Sequence, residues 1–303
     1  MAPPAFAGGL FLGGHMDVGI GLPSTIPGVR GEAVIEWARR ADTAGFSTLG
    51  TLDRVVYDNF DAVPTLAAAA AVTSRIRLTT AILIAPYRGN GVLLGKQLAS
   101  IDALSGGRLT VGIAVGGRED DFTATGSSFR TRGADMDALL AEMRSVWAAE
   151  PHGDGRPVGP APVQAGGPPL LIGGNGKAAI RRTVEYGAGW IAGGGGPDMF
   201  AQGAETIRAA WTDAGRPGAP RLAALSYFAL GAGATDAAHR YLTDYYSFLG
   251  DFADQIAKGA LTTPDAVRDA VRAFGDAGCD ELVLFPCSAD PDQVSLLAAA
   301  LNG

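Results

Sequence analysis

Three residue types are scarce in this 303-residue chain: histidine (His15, His152, His239), lysine (Lys96, Lys177, Lys258) and cysteine (Cys279, Cys287). Each shortage excludes something. The two cysteines have no metal-ligand spacing and cannot build a disulfide framework, so no metal site is expected. Lys and Arg total 24 against 31 Asp and Glu, and the net charge of −7 gives no footprint for a nucleic-acid backbone. No apolar run approaches the roughly 20 residues that cross a bilayer, so no membrane partner is expected. Residues 1–15, MAPPAFAGGLFLGGH, lack the basic start of a signal peptide. His15-Met16 has the look of a cloning junction before a native start, so 1–15 read as a leader and 16–303 as the folded unit. The expected compartment is the cytoplasm.

What is present is an ordinary globular balance, 47% hydrophobic and 18% charged, in a chain long enough for one large core. From Met16 one rhythm repeats. DVGIGLP reads as a strand, and GEAVIEWARRADTAGF as a helix with apolar residues at Val34, Ile35, Ala38 and Ala41. Seven further apolar strands start near 47, 76, 109, 169, 189, 221 and 281, each followed by a helical pattern. AVPTLAAAAAVT reads as a helix begun by Pro64, and TPDAVRDAVRAFGDAG as one capped by Thr263 with Pro264 in its first position. A polar loop rich in Pro and Gly spans 152–167, and a long helical region runs from Asp236 to about Gly259. Strict alternation implies parallel strands with right-handed crossovers. Eight units without an interior boundary favour a closed α/β TIM (β/α)8 barrel, in a single domain, over an open doubly wound sheet.

In such a barrel the chemistry gathers where strands end. That directs attention to Asp53 and to residues 81–86, 115–121, 173–176, 193–196, 228–231 and 286–288. Two neighbouring strand ends, Gly173-Gly174-Asn175-Gly176 and Gly193-Gly194-Gly195-Gly196, flank one helix. Glycine lets a backbone approach a ligand closely, and a helix start turns free N–H groups outward, so GGNGK suits an anion such as phosphate. Its spacing matches neither the dinucleotide fingerprint nor Walker A. The plainer alternative is tight strand-to-helix turns. Lys177 in the first helical turn weighs against it, because a cation there opposes the helix dipole unless an anion is bound.

Three blocks carry a family resemblance: RLTTAILIAPYRGNGVLLGKQLASIDALSGGRLTVGIAVGG, EDDFTATGSSFRTRGADMDALLAEMRSVW and PPLLIGGNGKAAIRRTVEYGAGWIAGG. Together they resemble the bacterial-luciferase-like flavin oxidoreductases, across nearly the whole chain from Met16. The resemblance implies a barrel that binds FMN or, in one branch, the deazaflavin coenzyme F420. Phosphate would lie on Gly173, Gly174, Asn175 and Gly176, with Gly193 and Gly194 closing the rim. The flavin ring would rest on Ala81 and Ile82, where relatives often carry a non-prolyl cis peptide. Val115 and Gly116 would border it, and Asp53 matches an acidic position of deazaflavin-binding relatives. The run Glu119–Asp121 reads first as a solvated loop, from which Asp120 could reach a cofactor.

The chain also departs from the family. Arg54 stands where many members have histidine, and Gly117 where one deazaflavin dehydrogenase branch has a proton-transferring glutamate. Asp53, Arg54, Tyr87 and Arg88 are therefore the catalytic candidates. The expected function is an FMNH2-dependent monooxygenase acting on a small organic or natural-product substrate, with a separate flavin reductase as partner and a homodimer as a common family state. The alternatives are an F420-dependent reductase or dehydrogenase and a non-catalytic flavin-binding barrel. A Schiff-base aldolase is disfavoured because all three lysines fall in expected helices. Tyr245, Tyr246 and Phe248 read as core, or as a cover over the substrate.

Overall fold

The structure is a computed structural model that describes residues 16–303; the leader expected at 1–15 lies outside the described residues. Eight parallel strands close into a barrel: β1 (Asp17–Gly21), β2 (Thr48–Thr51), β3 (Arg77–Ile84), β4 (Leu109–Ala114), β5 (Leu170–Gly173), β6 (Gly189–Ala192), β7 (Arg221–Phe228) and β8 (Glu281–Pro286). Each pairs with its neighbours in sequence, and β1 closes the ring on β8 with Asp17 opposite Glu281. The alternation of strand and helix therefore produced the expected (β/α)8 architecture.

The strands bury both faces. One face packs on the surrounding helices through residues such as Leu49, Leu78, Val111 and Leu282. The other fills the barrel with Ala81, Leu171, Ile191, Ala223, Leu225, Val283 and Phe285. Small residues make room for the largest of these: a Cβ on Gly21 would sit 2.2 Å from Cδ1 of Phe285. At the N-terminal end of the strands an ion cluster seals the barrel. Glu281 accepts from Arg77 at 2.8 Å, Arg221 at 2.9 Å and the Ser47 and Thr48 hydroxyls at 2.7 and 2.5 Å. Burial alone would raise the Glu281 carboxyl, but Arg221, Arg77 and the two hydroxyls bring it down to about 2.

Local details differ from the sequence reading where capping or short-range bonding prevails. The helix after β2 spans Ala62–Val72, capped by Asp61, whose carboxylate accepts from the Val63 amide; Pro64 sits inside the first turn instead of opening it. The loop at 152–167 carries a small antiparallel hairpin that pairs Pro151–His152 with Arg156–Pro157. The region after β7 breaks into helices Ala234–Tyr245 and Phe252–Lys258, separated by a 3-10 turn at Ser247–Leu249 and by Gly250 at φ 56°. Thr263 caps the helix Pro264–Asp276, as expected.

Candidate cofactor and substrate site

β3 changes character near its end. The Ala81–Ile82 peptide bond is cis, and the pairing with β4 shifts register between Thr80 and Leu83. Ala81 and Ile82 consequently both join the interior cluster instead of alternating in and out. They form an apolar floor to a cleft of about 350 Å³, whose walls include Leu52, Ile84, Val115, Gly116, Leu225, Tyr245 and Tyr246. Gly173 follows from that packing. A Cβ there would meet Cδ1 of Ile82 at 2.2 Å, so this glycine admits the bulge.

Asp53 lies two residues past the end of β2, with its side chain wholly buried beneath the cleft. Its carboxylate accepts from the Ile84 amide at 3.0 Å, the Tyr87 hydroxyl at 2.8 Å and Arg88 at 2.6 Å. Burial raises the Asp53 carboxyl above its ordinary range while these three donors pull it down. Arg88 also binds Asp61 at 2.8 Å. Of the four catalytic candidates, Asp53 and Tyr87 reach the cleft wall, tied to each other; Arg88 stands behind them as counter-ion.

Arg54 turns away from the cleft. It donates to Asp120 at 2.9 Å and lies 5.0 Å above the Tyr57 ring. Asp120 is thereby occupied, and it does not line the cleft. Its neighbour Asp121 does: it is buried, and its Oδ1 accepts from the Val55 and Val56 amides at 3.0 and 2.7 Å. The acidic segment is a short helix, Glu119–Ala124, whose first acids pin the loop after β2.

The glycine ends remain open. The Gly174 carbonyl accepts from the Trp190 indole at 3.0 Å, and the residue holds φ +107°, a conformation that disfavours any side chain. The amides of Gly174, Asn175 and Gly176, and those of Gly193, Gly194, Gly195 and Gly196 opposite, donate to no acceptor among the described residues. A Cβ on Gly193 would meet nothing within 4 Å. All of these except Gly176 line an opening of about 910 Å³, which adjoins the cleft through Gly174, Gly193, Leu225 and Tyr246. Gly176 caps the helix Lys177–Tyr186, and Lys177 is exposed in its first turn. Donors facing open space at two strand ends fit a phosphate, and the adjoining apolar floor fits a flat ring system, so these residues are compatible with FMN.

The sequence reading passed over one cleft residue, Arg118. Its guanidinium carbon lies 4.4 Å from the ring centroids of both Tyr245 and Phe248. Tyr246 bonds the Tyr227 hydroxyl at 2.6 Å and divides the cleft from the larger opening. Burial raises the Tyr245 and Tyr246 hydroxyls above their ordinary value, so both stay protonated. Of the stretch read as core or cover, Tyr245 is buried and lines the cleft with Tyr246, while Phe248 is exposed.

The family profile described as luciferase-like monooxygenase matches residues 9–301. The chain belongs to that family. Among relatives, an uncharacterized protein of Mycobacterium tuberculosis (strain ATCC 25618 / H37Rv) is 30% identical over 194 residues, covering 54% of this chain and 66% of the relative. This chain thus spans just under two thirds of that relative's length. Among solved structures, the monooxygenase RslO1 from Streptomyces bottropensis superposes with a TM-score of 0.77 at 24% identity, over 95% of this chain and 99% of that one. An F420-dependent secondary alcohol dehydrogenase in complex with an F420-acetone adduct gives 0.75 at 17% identity, over 94% and 98%. The oxygenating constituent of 3,6-diketocamphane monooxygenase from Pseudomonas putida, a type II Baeyer-Villiger monooxygenase in complex with FMN, gives 0.70 at 18%, over 95% and 96%. At these identities the superpositions show a shared fold. Solved structures of this fold thus include one in complex with FMN and one with an F420 adduct.

Among the described residues, no group of three or more His, Cys, Asp and Glu could hold a metal ion, and no helix is long and apolar enough to cross a membrane. Cys279 and Cys287 are both buried and free.

Proposed function

We propose that the protein is an FMN-dependent monooxygenase acting on a small organic substrate, with reduced flavin delivered by a separate reductase. One observation carries this reading: two glycine strand ends present unpaired amides to one opening, beside an apolar cleft floored by Ala81 and Ile82. Gly174, Asn175, Gly176, Gly193 and Gly194 hold the phosphate through the backbone. Ala81, Ile82, Val115 and Gly116 support and border the ring. Bound FMN supplies the redox chemistry and the reaction with oxygen. Leu52, Ile84, Leu225 and the two tyrosines keep water away from the ring, a condition that oxygen chemistry on a flavin requires. Tyr87 spends its proton on Asp53, which makes that pair a brace for the floor and leaves Tyr245 and Tyr246 as hydroxyl donors to a substrate.

The larger opening favours FMN over F420. F420 carries an acidic tail beyond its phosphate, whereas the charged side chain lining this opening is Asp269 and no lysine or arginine lines it. A carboxylate beside an acidic tail is repulsive. The test is titration of the purified protein with FMN and, separately, with F420, followed by quenching of cofactor fluorescence. Tight FMN binding with weaker F420 binding is expected. Preference for F420 would move the protein to the deazaflavin-dependent reductases, and binding of neither would remove both readings.

A further inference from the structure

Arg118 lies four residues past the end of β4 and directly precedes the helix Glu119–Ala124, and its side chain lines the cleft. Its guanidinium packs over Tyr245, Tyr246 and Phe248, with centroid distances of 4.4, 5.4 and 4.4 Å. No carboxylate pairs with it among the described residues, and its Nη1 is shielded from solvent without an acceptor. Asp120 is committed to Arg54, Asp121 to the Val55 and Val56 amides, and Asp53 to Ile84, Tyr87 and Arg88, while the adjacent Glu119 is exposed and forms no ion pair with Arg118.

Aromatic contact does not relieve this. Ring faces attract a guanidinium as a charge, whereas its N–H groups lie in its own plane and need oxygen acceptors. A shielded donor without an acceptor is unfavourable. A carboxylate entering in the guanidinium plane would satisfy two such donors at once, the bidentate geometry that arginine favours. Arg118 lines the smaller cleft and not the larger opening; of the phosphate cradle, Gly174 and Gly193 line both, while Asn175 and Gly194 line only the larger opening.

We propose that Arg118 is the substrate-recognising residue of this cleft and that the substrate is a flat aromatic carboxylate. The carboxylate pairs with the guanidinium, and the ring lies between Tyr245, Tyr246 and the apolar wall at Leu52, Ile84 and Val115. This assignment rests on the cofactor reading above, since it places the substrate in the cleft whose floor carries the flavin ring.

The test uses the FMN-saturated protein and three acid–amide pairs of increasing ring area: benzoate, 2-naphthoate and 2-anthroate, each against its neutral amide. Binding is followed by perturbation of flavin absorbance and by calorimetry, in the wild type, Arg118→Met and Arg118→Lys. At least one acid should bind the wild type about tenfold or more tighter than its amide. Arg118→Met should abolish that preference, Arg118→Lys should retain part of it, and FMN affinity should stay within about threefold of wild type in both. Equal binding of acid and amide, binding of neither across the panel, or a preference that survives Arg118→Met would each overturn the proposal. So would a fall of more than about tenfold in FMN affinity in Arg118→Met, which would assign the residue to the cofactor. If the wild type binds no FMN, the flavin reading fails separately, and calorimetry with the same acids and amides on the flavin-free protein still decides the role of Arg118.

Discussion

Substitution of Asp53 by alanine removes the acceptor for three donors at once: the Ile84 amide at 3.0 Å, the Tyr87 hydroxyl at 2.8 Å and the Arg88 guanidinium at 2.6 Å. Breaking a buried ion pair from one side typically costs about 3–5 kcal/mol, because the remaining charge is left without its partner. Arg88 keeps Asp61 at 2.8 Å, but that side chain is 45% exposed and compensates only in part. The low end of the range therefore applies, and about 1 kcal/mol is added for the stranded hydroxyl and amide. The expected loss is about 3–4 kcal/mol, or a fall in melting temperature of roughly 5–6 °C at this chain size. Asp53→Asn preserves an acceptor and should lose about half as much. Urea unfolding followed by tryptophan fluorescence measures both variants. A loss below about 1 kcal/mol in Asp53→Ala would refute the bracing argument. Normal stability combined with lost flavin binding would instead make Asp53 a direct cofactor contact.

Further outcomes follow from the same structure. The Glu281 carboxyl titrates at about 2 in the folded protein against an ordinary 4.5. Its contribution of about 3 kcal/mol is therefore fully present above pH 4.5 and is lost as pH falls toward 2. Glu281→Gln should flatten this acid dependence in unfolding curves between those pH values; an unchanged slope would contradict the pairing. Gly21→Ala would place a Cβ 2.2 Å from the Phe285 ring inside a packed barrel, and should cost about 1–3 kcal/mol or more by urea unfolding. Gly193→Asp adds a carboxylate in open space without backbone strain. At roughly 5 Å from a doubly charged phosphate in water-like surroundings, the repulsion is about 2 kcal/mol, so FMN affinity should fall roughly thirtyfold with circular dichroism unchanged. Gly174 is a poorer choice for that experiment, because its φ of +107° makes any replacement strained.

The barrel was legible because short apolar runs such as RLTTAILI and ELVLFP, each followed by a helical pattern, read as parallel strands covered on both faces. The glycine clusters were legible as strand ends, and the structure places them at the ends of β5 and β6. Helix starts were less so. Pro64 suggested a first position, but Asp61 supplies the cap and its position is set by hydrogen bonding. Pairings between distant residues could not be read at all. Arg54 and Asp120 are 66 residues apart, and neither their ion pair nor its orientation away from the cleft has a local signature. The surroundings of Arg118 were hidden likewise. It sits in GGREDDF, where the adjacent acids offered an obvious partner, and only the fold shows Asp120 and Asp121 bound elsewhere.

The central claim is that backbone amides at the ends of β5 and β6 bind a flavin phosphate. Comparison of FMN with riboflavin, which has the same ring and ribityl chain but no phosphate, tests it most directly by fluorescence quenching at fixed ionic strength. Charge-assisted bonds to several amides predict that FMN binds about a hundredfold tighter than riboflavin. They also predict that Gly193→Asp erodes the difference by weakening FMN alone. Equal affinities for the two flavins would contradict the account.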